Sequence, residues 1–416
     1  MEPVTTPITD EPPGHLPTLI ASFLHFDLSF MLWVLLGALG ISIAESLALS
    51  PAEKGIIVAI PILSGSLLRV PLGLLSDRIG GKRVGVAMLA FLFLPLSVGW
   101  LAGTSLPSVV ITGLLLGTAG ASFAVALPLA SRWYPPQRQG IVLGIAAAGN
   151  SGTVVTNLAA PYLATIVGWH NVLGLAMIPL ALVLIAFTWM AKDRPSPATG
   201  QPVRRYLAAL KHRDLWWFCL FYSVTFGGYV GLSSFLPIFF RDQYNVDALT
   251  AGYVTALATF VGSLIRPLGG YLADRVGGTR MLSWVLIGIF GTYLLGAQLP
   301  SLPLMLLLLV IGMACLGMGN GAIFQLAPQR FARQIGITTG VIGAVGGIGG
   351  FLLPTILGSA KHISDSFSLG FLVLAAGALF AYGVLQVLTT VQRGWRMSWR
   401  LSPLTEAVAD VHASEA

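Results

Sequence analysis

Apolar stretches of about 20 residues alternate with short polar breaks along almost the whole chain. Each is about the length an α-helix needs to cross a hydrocarbon core of about 30 Å. The pattern predicts twelve spans, at 28–48, 54–76, 84–103, 107–131, 140–164 and 169–191, then 215–240, 249–273, 281–299, 303–327, 335–360 and 367–391. The longest internal polar segment, Lys192 to Arg205, lies between the sixth and the seventh, and its Pro, Gly and Ser content marks a linker. The expected organisation is an N-terminal tail (1–27), a six-helix bundle (28–191), a linker (192–214), a second six-helix bundle (215–391) and a C-terminal tail (392–416).

The two halves are copies. Gly65-Ser-Leu-Leu-Arg69-Val-Pro-Leu-Gly73-Leu-Leu-Ser-Asp77-Arg78-Ile-Gly80-Gly81-Lys-Arg83 matches Gly262-Ser-Leu-Ile-Arg266-Pro-Leu-Gly-Gly270-Tyr-Leu-Ala-Asp274-Arg275-Val-Gly277-Gly278-Thr-Arg280 without a gap. The offset is 197 at every paired position (262 − 65, 266 − 69, 274 − 77). The predicted class is therefore an all-α membrane protein, with twelve transmembrane helices in two pseudo-symmetric six-helix bundles.

Composition agrees. Hydrophobic residues make up 55% of the chain and charged residues only 9%, against about 25% in soluble domains; mean hydropathy is +0.83. The segment up to Phe26 is polar, rich in proline and without Lys or Arg, so it does not read as a secretory signal. Cys219 and Cys315 sit singly in apolar spans and read as packing residues. The formal charge of +7 invites a nucleic-acid reading, but its placement between the spans excludes one. With both termini cytoplasmic, eighteen of the 23 basic residues fall on the cytoplasmic side and three (Lys54, Arg241, Lys361) on the other. That asymmetry is the positive-inside pattern of an inner, plasma-type membrane.

The two remaining basic residues are Arg69 and Arg266, each within a span. Of the acids, only Glu45 lies inside a span, near its outer end, so neither arginine has an evident carboxylate partner at its depth. A charge at such depth costs several kcal/mol and usually faces a bundle interior or an aqueous path. Arg69 is eight residues, about 12 Å of helix, before Asp77. Snorkelling over that distance is one reading. The symmetric placement favours another: an anion site between the halves, where the planar guanidinium fork suits coplanar oxygens.

Glycine recurs in the fifth span (Gly144, Gly149, Gly152, around Asn150) and in the eleventh (Gly343, Gly346, Gly347, Gly349), and Gly149 and Gly152 map onto Gly346 and Gly349 by the same offset. Close helix packing explains such residues, as does a need for helices to slide during transport. Tyr222 and Phe226 are four apart and share a helix face. The six histidines fall in tails or at predicted helix ends. No phosphate-binding loop, His-Glu-x-x-His or paired-cysteine spacing is present, so neither an enzyme nor a metal or cofactor site is expected.

The Gly-x-x-x-Asp-Arg-x-Gly-Gly-x-Arg loop, repeated in a 6 + 6 arrangement, resembles the loop motif of the major facilitator superfamily. The segments Ser29–Gly37, Gly65–Pro71, Ala148–Gly152 and Gly319–Gln325, with the glycines of the eleventh span, resemble the nitrate/nitrite porter family within it. The resemblance covers 26–391. It implies that Arg69 and Arg266 clamp nitrate or nitrite, that Asn150 and Tyr222 hydrogen-bond it, and that Phe30, Phe123 and Phe226 wall the site. Asp77, Arg78 and Arg132, with Asp274 and Arg275, are implied to hold the loops against neighbouring helix ends in one conformation. The short loop after the tenth span is similar to the branch that imports nitrate with protons. Since no buried carboxylate or histidine is evident as proton carrier, nitrate/nitrite antiport stays open, as do a small-carboxylate exchanger and a nitrate sensor. The expected partners are the anion, protons and lipid, with the chain acting as a monomer.

Overall fold

The computed structural model of the chain describes residues 14–134, 142, 145–146, 148–194, 210–331 and 335–398. It is helical throughout these. The first helix, α1, runs over 16–47 as Leu16–Trp33, Leu35–Ala38 and Gly40–Leu47, with irregular residues at Val34 and Leu39. It is followed by α2 (Pro51–Ile79), α3 (Gly81–Ala102), α4 (Leu106–Ser131), α5 (described over 148–167) and α6 (Trp169–Met190). The second half repeats the order: α7 (Arg213–Tyr244), α8 (Ala248–Val276), α9 (Gly278–Gly296), α10 (Leu302–Arg330), α11 (Ile335–Ser364) and α12 (Ser368–Val391).

α1 begins at Leu16, twelve residues ahead of the expected span and inside what the sequence suggested was a tail. His15 caps it, its ring nitrogen accepting from the Thr18 amide. Thr18, Ser22, His25 and Ser29 recur at helical spacing and all are fully buried. These small polar groups point into the bundle, which is why hydropathy alone starts the helix late. Two expectations change with this start: His25 is not at a helix end, and Asp27 lies within a helix.

Local chemistry sets the other ends. Ser50 and Glu53 form a capping box at the start of α2, and Asp247 receives the Leu249 and Thr250 amides at the start of α8. Gly80 and Gly277, equivalent across the repeat, both turn the chain with φ near +100° (100° and 97°), where a side chain would be strained. α8 is broken at Ile265, ahead of Pro267, so Arg266 opens its second segment.

The turns at Gly80 and Gly277 lie at one end of the bundle, called here the loop-motif end. At the opposite end the halves are in direct contact. α2 crosses α11 where Gly55 meets the Pro354 carbonyl, and α5 crosses α8 where Gly252 meets that of Asn157. Two ion pairs join the halves there: Lys54 with Asp242 at 2.7 Å and Arg241 with Glu45 at 2.9 Å. At the loop-motif end the ion pairs among the described residues stay within a half: Arg132 with Asp77, and Arg330 with Asp214 at 2.6 Å.

Candidate functional site: two arginines between the halves

Arg69 is 1% exposed, although it carries a full charge in an apolar helix. Its Nε donates to the carbonyl of Gly120 at 3.0 Å, and its Nη1 to that of Gly343 at 2.5 Å. Gly120 belongs to a short 3₁₀ stretch of α4, Gly117–Ala121, and Gly343 to α11 of the other half. The guanidinium carbon lies 5.2 Å from the Trp33 ring, 5.5 Å from that of Phe123 and 4.9 Å from that of Phe226. The third nitrogen, Nη2, is buried and has no protein partner.

Arg266 is only partly buried, and its guanidinium lies 5.5 Å from the Phe324 ring. The two arginines repel one another, and the Tyr222 hydroxyl interacts with both. Among the described residues no carboxylate oxygen lies within 4.0 Å of either guanidinium. Buried polar groups are ordinarily paired, so an unpaired donor on one buried cation, repelled by a second, is an unmet electrostatic demand.

A belt of rings surrounds these charges. Tyr222 stacks on Phe226 (4.8 Å, 3° between planes) and meets Phe324 edge-on at 5.3 Å. Phe324 reaches Phe123 of the other half at 5.9 Å; Phe26 is 6.0 Å from Phe123 and 4.4 Å from Phe30. The face inferred from the four-residue spacing of Tyr222 and Phe226 is therefore present. Sequence reasoning missed Trp33, Phe26 and Phe324, though Phe26, Phe30 and Trp33 recur at the spacing of one helix face. It also missed Tyr229, whose hydroxyl bonds Ser263 at 2.5 Å and Thr153 of the other half at 3.1 Å.

The glycines are seats for side chains and helices. A Cβ at Gly346 would collide with the Tyr222 ring, one at Gly347 with Ser66, and one at Gly349 with the backbone of Ser223. Gly149 and Gly152 press α5 onto the backbone of Asp27 in α1. Gly144 lies outside the described residues. Asn150 is 3% exposed and its Oδ1 has no partner, but no hydrogen bond joins it to either arginine. Ser151, beside it, donates to Asp27 Oδ1 at 2.8 Å. Leu16 to Asp27 is eleven residues and Arg69 to Ile79 is ten, so acid and arginine stand at similar depth, about 15 Å from the same end. A carboxylate is thus present at the level where the sequence suggested none, although it is bonded to a serine and not to Arg69.

Of the loop-motif residues, Asp77 and Arg132 pair with one another. Arg78 and Asp274 are exposed, and neither forms an ion pair among the described residues. Arg275 lies over the Tyr271 ring at 4.5 Å. The second half instead uses Asp214, which takes Arg330 Nε and, at 3.1 Å, the indole N–H of Trp395. Among the described residues no three His, Cys, Asp or Glu side chains converge as metal ligands.

Comparison with known proteins agrees with this architecture. Residues 20–354 match the model of the Major Facilitator Superfamily. The chain is 35% identical to the "Nitrite extrusion protein" of Bacillus subtilis (strain 168), over 85% of this chain and 89% of that one. It is 33% identical to the "Probable nitrate/nitrite antiporter" of Thermus thermophilus, over 92% and 94%. It is also 31% identical to the "Probable nitrate transporter" of a Staphylococcus epidermidis strain, over 87% and 92%. Among solved structures it is similar in fold to a bacterial homolog of the human lysosomal transporter Spinster (TM-score 0.72, 17% identity, 92% and 98% covered). It is likewise similar to a D-xylose-proton symporter (TM-score 0.69, 15% identity, 88% and 96% covered). With its duplicated six-helix halves and paired intramembrane arginines, the chain belongs to the Major Facilitator Superfamily and, within it, to the nitrate/nitrite porter family.

Proposed function

We propose that this protein carries nitrate, and nitrite as a second substrate, across the plasma membrane by alternating access, with the anion held between Arg69 and Arg266. The observation that carries this reading is the open Nη2 of Arg69, buried beside a second cation with no carboxylate within 4.0 Å among the described residues. A monovalent oxyanion meets that demand: its oxygens accept from the open donor, and its charge screens one guanidinium from the other. Tyr222 and Asn150 offer further polar groups, and Phe30, Phe123 and Phe226 supply walls that exclude water. Rocking of the two halves about this level exposes the site to each face in turn. The names of the relatives support nitrate and nitrite over other planar anions.

The chain works as a monomer, and both its termini lie in the cytoplasm; the 18-to-3 distribution of basic residues supports that orientation. Import driven by protons is the coupling proposed. Exchange of nitrate for nitrite is the second reading, favoured by relatives named for extrusion and antiport.

The test is uptake of labelled nitrate into proteoliposomes by the wild type, Arg69→Lys and Arg266→Lys. Each variant is expected to fold, since a cation remains, and to lose at least tenfold in uptake, because a lysine point charge does not reproduce the planar fork. Robust uptake by both variants would exclude the arginine clamp. Nitrite trapped inside then separates the couplings: stimulation by nitrite supports exchange, and stimulation by an inward proton gradient supports symport.

A further inference from the structure

Asp27 is a carboxylate that the anion site does not use. It is partly buried in the middle of α1, and α5 rests on its backbone at Gly149 and Gly152. Among the described residues its one side-chain donor is the neutral hydroxyl of Ser151, at 2.8 Å, with the neutral Gly152 amide beside it. No Lys, Arg or His nitrogen lies within 4.0 Å of it among the described residues. An ionised carboxylate so placed is poorly compensated, whereas the neutral acid needs no counter-ion.

The groups around it leave few other candidates. His25, two residues earlier and so on the opposite side of the helix, turns its ring to the Gly85 carbonyl on α3 and to Phe187 on α6. The described part of α5 and all of α4 carry no charged side chain, and the one titratable group of α6 is His170, at its far end. α3 contributes Lys82 and Arg83 only at its loop-motif end, and Arg132, past the end of α4, is paired with Asp77. α2 and α8 contribute Arg69 and Arg266, the two cations of the candidate site.

From the Asp27–Ser151 contact, set on the two segments that also carry Phe26, Phe30 and Asn150, we infer that Asp27 is the proton-binding site that couples anion movement to protons. The inference rests on the anion-carrier reading above. A proton from water on the entry side forms an O–H bond on the carboxylate, and that bond breaks when the proton passes to water on the exit side. Nothing else is consumed. With Asp27 neutral, an anion entering at similar depth meets no second negative charge, so proton and anion each raise the affinity for the other by one shared factor. Protonation also converts an acceptor of Ser151 into a group able to donate, altering the hold of α1 on the Ala148–Ser151 turn that carries Asn150.

The experiment uses the full chain in liposomes containing a pH-sensitive dye. Nitrate added outside is expected to bring protons in with the wild type. Asp27→Asn should reduce nitrate-driven proton entry at least tenfold, while nitrate counterflow stays within threefold of wild type. His25→Gln should keep the coupling, and Asp27→Glu should keep it with a shifted pH profile, which also guards against misfolding of the asparagine variant. Unchanged proton entry by Asp27→Asn overturns the inference, as does loss of coupling in His25→Gln alone. A wild type that exchanges nitrate without moving protons overturns it too, yet leaves the carrier reading intact. Absence of counterflow in the wild type overturns both.

Discussion

Arg69 Nη1 donates to the Gly343 carbonyl across 2.5 Å, so a buried cation of the first half is held by the backbone of the second. The same stretch of α11 holds Tyr222 through Gly346, and the two glycines differ in the room they leave. A Cβ at Gly343 would sit 3.4 Å from Arg69 Nη1 and 3.7 Å from Phe123, in ordinary contact. A Cβ at Gly346 would overlap the Tyr222 ring, which is fixed between Phe226 and Phe324. Gly343→Ala should therefore retain nitrate affinity within about threefold, whereas Gly346→Ala should lose at least tenfold, about 1.4 kcal/mol. Equilibrium binding of nitrate to the two purified variants checks the contrast.

The Tyr222 hydroxyl is near enough to both guanidinium groups to interact with each. Hydrogen bonds to charged groups contribute about 1.5–3 kcal/mol. Tyr222→Phe should thus weaken nitrate binding by roughly tenfold to a hundredfold with little change in melting temperature. Trp33, 5.2 Å from the Arg69 guanidinium, provides a fluorescent reporter of occupancy. Wild-type affinity in the phenylalanine variant would remove the hydroxyl from the set of ligands.

Lys54 reaches both oxygens of Asp242, at 2.8 and 2.7 Å, and ties α2 to α7 at the end opposite the loop motif. With Glu45–Arg241 beside it, this pair favours closure on that side. The side chains are 19% and 16% exposed, and a value of about 1 kcal/mol, a fivefold change in population, suits a partly screened pair. Lys54→Met should speed alkylation of a cysteine placed at Ile41, which lines the cleft between the pairs. The swap Lys54→Asp with Asp242→Lys should restore slow labelling.

Trp395 is fully buried beyond the end of α12 and donates to Asp214, which also holds Arg330. Trp395→Ala removes the ring that packs on Phe218 and Phe221 and deprives a carboxylate of a donor. A loss of about 3–5 kcal/mol of stability is expected, seen as a lower melting temperature in detergent, with nitrate affinity unchanged. A fall in affinity without loss of stability would assign Trp395 a different role.

Much of this was legible in the sequence, because a bilayer forces the backbone into helices and leaves composition to mark them. Duplication did the rest for Arg69 and Arg266, since equivalent positions in two halves meet at the interface between them. Asp27 and His25 were misplaced for a physical reason: a bundle-facing polar stripe lowers the hydropathy of α1 without weakening the helix. Repeat symmetry also misled at Asp274, whose counterpart Asp77 binds Arg132, while Arg330 turns to Asp214 at the start of α7. Contacts such as Arg69 with Gly120 and Gly343 depend on how far apart the helices stand, which no single residue encodes.

The bond from Arg69 to Gly343 makes the proposed anion clamp a fastener between the halves as well. Rocking the halves apart at this level takes the guanidinium from that carbonyl, and an incoming anion lowers the cost by offering it a new partner. An unloaded carrier should then reset slowly and a loaded one quickly, so that one-for-one swapping outpaces net accumulation and little anion leaks back when the substrate on one side runs out.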